Sequence, residues 1–177
     1  ISESQYATVS GSFTDSTTTS LVSNGKTDSI NLFFIEDYEG SWSGILGNAA
    51  GMPGSMGLVN SWNGLLISLS AHATGMNLDG QLLGETVVHE MGHQLGLFHT
   101  SESGGTVFDI LNDTADCPIS RDNDRNGKIS AEECEGYGAD NVMFWTSWSS
   151  SSRSAGKKQN IFSEHQIHVF KYSPIAK

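Results

Sequence analysis

Basic residues, cysteines and long apolar runs are all scarce in this sequence. The sequence has nine Lys and Arg residues and 20 Asp and Glu residues, which give a formal net charge of −11. This negative charge argues against binding to nucleic acid or to anionic membranes. No apolar stretch approaches the roughly 20 residues that cross a bilayer. With 177 residues and 37% apolar content, the chain can bury the core of one globular domain over 1–177.

Targeting sequences and internal repeats are also missing from the sequence. The chain begins with Ile1 rather than methionine and shows no signal peptide. This favours a processed or truncated chain whose targeting and pro-segments lie upstream.

The segment VVHEMGHQLGLFHTSE, residues 87–102, is rich in histidine. His89 and His93 are four residues apart, so they project from the same face of an α-helix on successive turns and can hold one metal ion. Glu90 lies about 100° around the helix from His89, where its carboxylate can reach a water on the metal without displacing a ligand. This spacing predicts two metal ligands and a general base.

Gly96 and His99 extend the pattern. Glycine readily adopts the left-handed conformation that ends a helix, so His99 can approach from another direction. Three neutral imidazoles with a fourth position open are typical of catalytic zinc, whereas structural zinc is usually closed by four protein ligands. Exposed or hydrogen-bonded core histidines are the alternative interpretation of the short pattern, but the longer pattern favours metal. We expect one Zn²⁺ on His89, His93 and His99, with Glu90 as the base.

The segment HEMGHQLGLFH resembles the H-E-x-x-H-x-x-G-x-x-H signature of the metzincin metallopeptidases. The stretch DNVMFW supplies Met143, which matches the methionine turn that in metzincins forms an apolar floor beneath the three histidines. Within the metzincins, the chain is most similar to the pappalysin-type peptidases. That likeness rests on GLFHT, the acidic NDTADCP, the Asn-x-Met turn and IFSEHQIHVF, where relatives carry a Phe-(Ser/Thr)-x-x-Gln helix.

The pattern and the resemblance together predict an α+β, metzincin-like fold with a twisted mixed sheet and a zinc helix along the cleft floor. Residues 1–99 would form the sheet and this helix, and 100–177 an irregular half with the methionine turn and a final helix. The resemblance implies that zinc activates a water molecule while Glu90 moves its proton to the leaving amine. In metzincins the strand before the zinc helix is a sheet edge that pairs with an extended substrate. We assign that role to Leu65, Leu66, Ile67, Ser68 and Leu69.

Two positions depart from the family pattern. Many relatives carry a tyrosine two residues after the methionine, where it helps to hold the substrate carbonyl, whereas this chain has Trp145. Its indole N–H can donate one hydrogen bond to substrate, or its ring can form a wall of the pocket. The segment TSWSSSSRSAGKKQN also lacks the cysteine that relatives place before the final helix, so the disulfide pattern must differ.

Periodicity and turn residues predict the remaining strands and loops. Residues 1–26 are rich in Ser and Thr and predict a strand followed by a polar connection. The segment SINLFFIED (29–37) predicts a buried strand, GNAAGMPGSMG (47–57) a loop, and GLLISLS (64–70) another strand. The stretch 100–138 is polar, acidic and without periodicity.

Capping residues predict the bounds of two helices. The zinc helix should begin at an Asp79 cap and run to about Leu95. The final helix should begin at a Ser163 cap, with Ile167 and Phe170 facing inward.

The segment DNDRNGKISAEE (122–133) matches the calcium loop of an EF-hand. Gly127 supplies the sharp turn, and Ser130 could bind the ion or hold a water. The expected ligands are Asp122, Asp124, Asn126, the carbonyl of Lys128, and Glu133. A solvated acidic turn is the alternative interpretation. Because Pro118 and its polar neighbours do not make an incoming helix, we expect an isolated loop rather than a full EF-hand.

The two cysteines flank this loop. We expect Cys117 and Cys134 to form a disulfide rather than to remain free thiols. One or more structural Ca²⁺ ions would then hold the lower half of the cleft in shape.

The combined prediction is a secreted, monomeric, zinc-dependent endopeptidase that acts on protein or peptide substrates. A zinc-bearing adhesion or binding module without turnover is one alternative, and a calcium-dependent, dockerin-like module is another. Glu90 argues against the first, because an inactive site needs no base. The histidines and the lack of paired calcium repeats argue against the second.

Overall fold

The structure, a computed structural model, describes residues 4–55 and 63–176. The strands are β1 (Thr8–Val9), β2 (Leu32–Ile35), β3 (Asp37–Tyr38), β4 (Gly47–Ala49), β5 (Leu65–Ser68), β6 (Ala73–Thr74) and β7 (Asn77–Leu78). The α-helices are α1 (Ser16–Val22), α2 (Gly80–Leu95), α3 (Ser150–Ser154) and α4 (Glu164–Tyr172). Within these ranges no helix has both the length and the apolar character needed to cross a membrane.

The chain divides into two compact units, one formed by 1–96 with 173–177 and the other by 97–172. The break therefore falls directly after Gly96, close to the predicted division at residue 99. The first unit contains all the strands named above together with α1 and α2, and the second contains α3, α4 and the acidic loop. The assignment of 1–177 to a single domain stays a prediction.

The main sheet of the first unit has the strand order β2-β5-β4. β2 is parallel to β5, and β4 is antiparallel to it, so the sheet is mixed as predicted. Leu65, Leu66 and Ile67 of β5 have no exposed surface. The prediction that Leu65–Leu69 forms a sheet edge is wrong, because β5 pairs with β2 on one side and with β4 on the other. A strand that is apolar without alternation is typical of such a central position.

Among the described strands, β2 and β4 are the two edges of this sheet, and β4 is the antiparallel one. The backbone N–H of Ala50 donates to Gly64, and that of Ser68 donates to Leu46. Since an antiparallel ladder alternates, Gly47 and Ala49 direct their own N–H and C=O groups away from β5. The loop predicted over 47–57 is therefore wrong at its start, where glycine and alanine conceal a short strand, and residues 56–57 lie outside the described ranges.

β2 confirms the strand predicted within 29–37, but not its complete burial. Phe33 packs against the first core cluster and Ile35 is buried, whereas Leu32 and Phe34 are 39% and 50% exposed. Side chains alternate between the two faces of a strand, so one face of β2 packs on the core and the other faces solvent.

α1 occupies part of the region where only a strand and a polar connection were predicted. Asp15 starts the helix, since its carboxylate accepts hydrogen bonds from the N–H groups of Thr17 and Thr18 at 2.9 and 3.2 Å. Leu21 and Val22 anchor the helix in the core. The strand prediction is confirmed only at β1. Threonine is a weak helix former, and here the cap and the two buried aliphatic residues outweigh its preference.

The helix α2 has the bounds predicted for the zinc helix. The carboxylate of Asp79 accepts from the N–H of Leu82 at 2.9 Å, which caps the first turn. Gly96 adopts φ 110°, a left-handed conformation, and its N–H donates to the carbonyls of Gly92 and His93. Both ends of the helix are thus fixed by the residues that predicted them.

α4 of the second unit begins as predicted, because the Ser163 hydroxyl accepts from the N–H of Gln166 at 3.1 Å. The inward orientation is correct for Phe170, which packs edge-on against Phe162, and wrong for Ile167, which is 42% exposed. The polar Gln166 turns inward instead, with no exposed surface. Its amide exchanges two hydrogen bonds with that of Asn141, and such pairing satisfies a buried amide.

Candidate metal centre

The three predicted zinc ligands lie close together on one short stretch of chain. His89 and His93 occupy successive turns of α2, and their rings meet edge to face with centroids 4.7 Å apart. His99 follows the Gly96 turn. Each of the three imidazoles offers a nitrogen, and these nitrogens all lie within 4.8 Å of one another.

Glu102 fixes one of these imidazoles, a role that was not predicted. Its Oε1 lies 3.0 Å from Nδ1 of His99. A carboxylate oxygen accepts a hydrogen bond, so Nδ1 of His99 carries the hydrogen that it donates to Glu102, and Nε2 is the nitrogen suited to bind a metal. The signal was present in the sequence as an acidic residue three positions after His99.

Glu90 is buried beside β4, an edge strand of the main sheet. The side chain is 6% exposed, and this burial raises the pKa of Glu90 to about 8, although a hydrogen bond from the backbone N–H of Ala49 opposes the rise. A nearby cation would favour the ionised form. Gly47 also lies close to Glu90, because a Cβ on Gly47 would stand 2.8 Å from Cγ of Glu90.

His72 supports the helix that carries Glu90 and was also not predicted. This buried histidine pairs through Nδ1 with the carbonyl of Ser68 at 2.5 Å and through Nε2 with the hydroxyl of Thr86 at 2.9 Å. Nδ1 must donate to the carbonyl, so Nε2 accepts from the hydroxyl. The end of β5 is thereby tied to α2 one turn before Glu90.

The predicted calcium loop brings three of its carboxylates together. Oxygens of Asp122, Asp124 and Glu133 lie within 4.8 Å of one another. Two of these carboxylates accept hydrogen bonds from backbone N–H groups. The N–H of Gly127 donates to Asp122 at 2.8 Å, and the N–H of Ser130 donates to Glu133 at 2.9 Å. The hydrogen bond from the Ser130 N–H, together with those from the Ser130 hydroxyl and from the N–H groups of Asn123 and Asp124, lowers the pKa of Glu133, so the carboxylate stays ionised.

The other predicted features of this loop can be located. Gly127 has φ 83°, which makes the sharp turn, and the side-chain oxygen of Asn126 accepts from the N–H of Lys128 at 2.8 Å. The segment before the loop is a single 3-10 turn at Ile119–Arg121, so no incoming α-helix is present there, as predicted.

The disulfide between Cys117 and Cys134 is confirmed, with 5.8 Å between the two Cα atoms. Both cysteines are fully buried, together with Ile129, in a cluster that also contains Phe144 and other apolar residues. The bond therefore closes both ends of the acidic loop onto a core of its own.

Met143 and Trp145 both lie in the second unit. Met143 has no exposed surface, packs with Leu97 and Val142, and accepts a hydrogen bond at its carbonyl from the N–H of Thr100, the residue after His99. The indole N–H of Trp145 donates to the carbonyl of Ile129 at 2.8 Å. Because an indole has one N–H, this bond argues against the donor role of Trp145, and the wall role stays a prediction.

The donor sets fit the two predicted ions. Three clustered neutral nitrogens, one of them backed by a carboxylate, are the ligands that zinc prefers at a catalytic site. Three carboxylates within 4.8 Å match an ion with Ca–O distances of about 2.3–2.6 Å, since ligands on opposite sides of such an ion lie about 5 Å apart.

Three fungal proteins are similar to this chain over part of its length. An extracellular metalloprotease of Colletotrichum graminicola is 31% identical over 106 residues, which cover 55% of this chain and 37% of that protein. Extracellular metalloprotease 1 of Coccidioides posadasii is 28% identical over 121 residues, 68% of this chain and 42% of that protein. An extracellular metalloprotease of Podospora anserina is 30% identical over 101 residues, 52% of this chain and 33% of that protein.

The chain thus spans less than half the length of the curated relatives it matches. No protein-family model matches the chain. The three likenesses, together with the clustered histidines, support a metalloprotease family for this protein.

Proposed function

We propose that this chain is a secreted, zinc-dependent endopeptidase of the metzincin type, most similar to the pappalysin group. The observation that carries the proposal is the cluster of three imidazole nitrogens within 4.8 Å of one another, with a buried glutamate next to the first histidine in sequence. The printed names of the fungal relatives support both the protease activity and the secreted location.

His89, His93 and His99 would hold Zn²⁺ through neutral nitrogens. When bound, zinc supplies Lewis-acid polarisation of the scissile carbonyl and makes a water molecule more acidic. Glu90 is the group that takes a proton from this water and later gives it to the leaving amine. Glu90 must be ionised to take the proton, and because a nearby cation favours the ionised form of a carboxyl, Zn²⁺ on the three histidines would offset the rise in pKa that burial causes.

The edge strand β4 is the proposed docking site for the substrate backbone. Gly47 and Ala49 direct their peptide groups away from β5, and Ala49 already donates to Glu90. An extended peptide that pairs with the peptide group of Gly47 would lie next to the general base. This replaces β5, which has neighbours on both sides, as the strand that receives substrate.

The acidic loop is proposed to bind one or more Ca²⁺ ions. Asp122, Asp124 and Glu133 would contribute carboxylate oxygens, and Asn126 and the carbonyl of Lys128 would complete the set. Three clustered carboxylates repel one another, so the bound ion would stabilise the loop that the disulfide closes.

The decisive experiment separates loss of the base from loss of the metal. In a casein or quenched-peptide assay, Glu90→Gln should lower kcat/KM by about 10²–10⁴-fold, while zinc measured by atomic emission stays near one ion per chain. His99→Ala should lose the zinc itself. Substantial activity in Glu90→Gln would remove Glu90 from the mechanism, and normal zinc content in His99→Ala would remove His99 from the ligand set. Unchanged cleavage by the wild type after treatment with a zinc chelator would refute the whole proposal.

A further inference from the structure

His72, a buried residue of the first unit, contacts the first two turns of α2. Its side chain is 1% exposed. Its backbone carbonyl accepts from the N–H of Asp79, the cap of α2, at 2.7 Å, and its Nε2 accepts from the hydroxyl of Thr86 at 2.9 Å. On the other side of the ring, Nδ1 donates to the carbonyl of Ser68 at 2.5 Å. One residue thus joins the end of β5 both to the start of α2 and to its second turn.

The hydrogen bond from Thr86 to His72 fixes the rotamer of Thr86. A threonine hydroxyl in a helix can instead bond the carbonyl three or four residues earlier, here that of Leu83 or Leu82, in a different χ1 rotamer. The hydroxyl and the methyl group share one carbon atom, so the bond to His72 also fixes the direction of the methyl group. This methyl group lies against β4, since a Cβ on Gly47 would stand 2.9 Å from Cγ2 of Thr86. The imidazole therefore decides which group of Thr86 faces β4.

Glu90 packs against the same glycine as Thr86. The two residues are four positions apart on α2, and such residues lie on one face of a helix. The same Cβ on Gly47 would stand 2.8 Å from Cγ of Glu90, and the side chain of Glu90 accepts a hydrogen bond from the N–H of Ala49. A change in the contact between Thr86 and Gly47 therefore changes the spacing of α2 and β4 at the position of Glu90.

We propose that His72 is a positioning residue for the peptidase reaction. Through Thr86 it fixes the spacing between α2 and β4, and this spacing holds Glu90 beside the strand that is proposed to receive substrate. The inference rests on the proposed function of Glu90 as the base. If His72 only filled space in the core, an apolar side chain of similar length could replace it. The positioning role instead requires the two ring nitrogens, one as a donor and one as an acceptor.

Steady-state kinetics of the full, zinc-loaded chain on a quenched peptide test the proposal. Thr86→Val keeps the shape of the side chain and removes the hydroxyl. It should lower kcat about tenfold, since a shift of about 1 Å in a reacting group costs on the order of 10²-fold. KM and the zinc content should stay unchanged, because Glu90 acts in the chemical step. Thr18→Val is the matched control: Thr18 of α1 is also fully buried, and its hydroxyl donates to the carbonyl of Ser10 at 2.8 Å. This control should lose stability in urea and keep the wild-type kcat.

Two substitutions of His72 separate positioning from packing. The amide of glutamine offers a donor and an acceptor, as neutral imidazole does, so His72→Gln should keep most of the wild-type kcat. His72→Met has an apolar side chain that adapts to irregular core space, and it should lose as much kcat as Thr86→Val. The double variant His72→Met, Thr86→Val should lose no more than either single variant, because both remove the same interaction. An NMR cross-peak between the methyl group of Thr86 and the α-protons of Gly47 should persist in His72→Gln and weaken in His72→Met.

The proposal is overturned if Thr86→Val has the kcat of the Thr18→Val control, if His72→Met keeps the wild-type kcat, or if the losses add in the double variant. Thr86→Val is close to isosteric, so it decides the matter even if His72→Met does not fold. Glu90→Gln separates the two levels of the argument. An inactive wild type would refute the proposed function and this inference with it. An active wild type, an inactive Glu90→Gln and an unaffected Thr86→Val would overturn this inference alone.

Discussion

Gly47 lies directly against the proposed base, so one added methyl group tests the position of that base. A Cβ at Gly47 would stand 2.8 Å from Cγ of Glu90, 2.9 Å from Cγ2 of Thr86 and 3.0 Å from Cδ1 of Ile67. Carbon atoms in contact lie about 3.5–4.0 Å apart. Gly47 does not adopt a positive φ, so the backbone tolerates alanine and any strain comes from these three contacts.

The size of the effect follows from the overlap. Each neighbour must withdraw by roughly 0.5–1 Å, and inserting a methyl group into a packed site costs about 1–3 kcal/mol of stability. Misplacing a reacting group by about 1 Å costs on the order of 10²-fold in rate. We therefore expect Gly47→Ala to lower kcat/KM about 100-fold, because the clash displaces Glu90, while the zinc content stays unchanged.

The assay is kcat/KM on a quenched peptide, with urea unfolding and zinc analysis on the same preparation. Gly84→Ala is the matched control, since Gly84 lies on the same helix as Glu90 and a Cβ there would meet nothing within 4 Å. This control should gain about 0.5–1 kcal/mol of stability and keep full activity. A folded Gly47→Ala variant with the kcat/KM of the control would refute the reasoning, and so would a loss of activity explained by loss of zinc.

Three further predictions concern the ligands and the loops. Glu102→Ala should weaken zinc binding by roughly 10–100-fold, because His99 loses the carboxylate that orients it; competition with a chromophoric chelator measures this, and an unchanged affinity would contradict the role of Glu102. Met143→Leu should cost less than about 1.5 kcal/mol in urea unfolding, since leucine has a similar volume, and a larger loss would show that the sulfur does more than pack. Calcium at about 100 times its dissociation constant adds about 2.7 kcal/mol, or roughly 5–10 °C in Tm for a chain of this size; Asp124→Ala should remove that increment, and identical melting curves with and without calcium would exclude a structural ion.

Structure was predicted most accurately from the sequence where a residue type has one structural role that depends only on its neighbours along the chain. Asp79 and Gly96 fixed the two ends of the zinc helix, because a carboxylate can cap free N–H groups and only glycine turns left-handed cheaply. The disulfide could be predicted because the chain has two cysteines, one at each end of the acidic loop. Each of these inferences needs no knowledge of what the residue contacts elsewhere in the chain.

Prediction failed where tertiary pairing decides the outcome. The apolar run at Leu65–Ser68 is compatible with an edge or a central strand, and only the pairing of β2 and β4 distinguishes them. The three residues of β4 have no apolar pattern at all, so nothing local marks Gly47 as part of a sheet. Glu102 and His72 were missed for a related reason, since their roles depend on which atom lies opposite them.

The discontinuity of the first unit has a consequence for how the protein is synthesised. This unit includes the segment that begins at Ser173, in which Ile175 is buried. Domains generally fold during translation as their residues leave the ribosome, yet this segment emerges after the whole second unit. The first unit therefore stays incompletely packed while the disulfide loop and α4 are still being synthesised. A fragment that ends at Gly96 would remain in that state permanently.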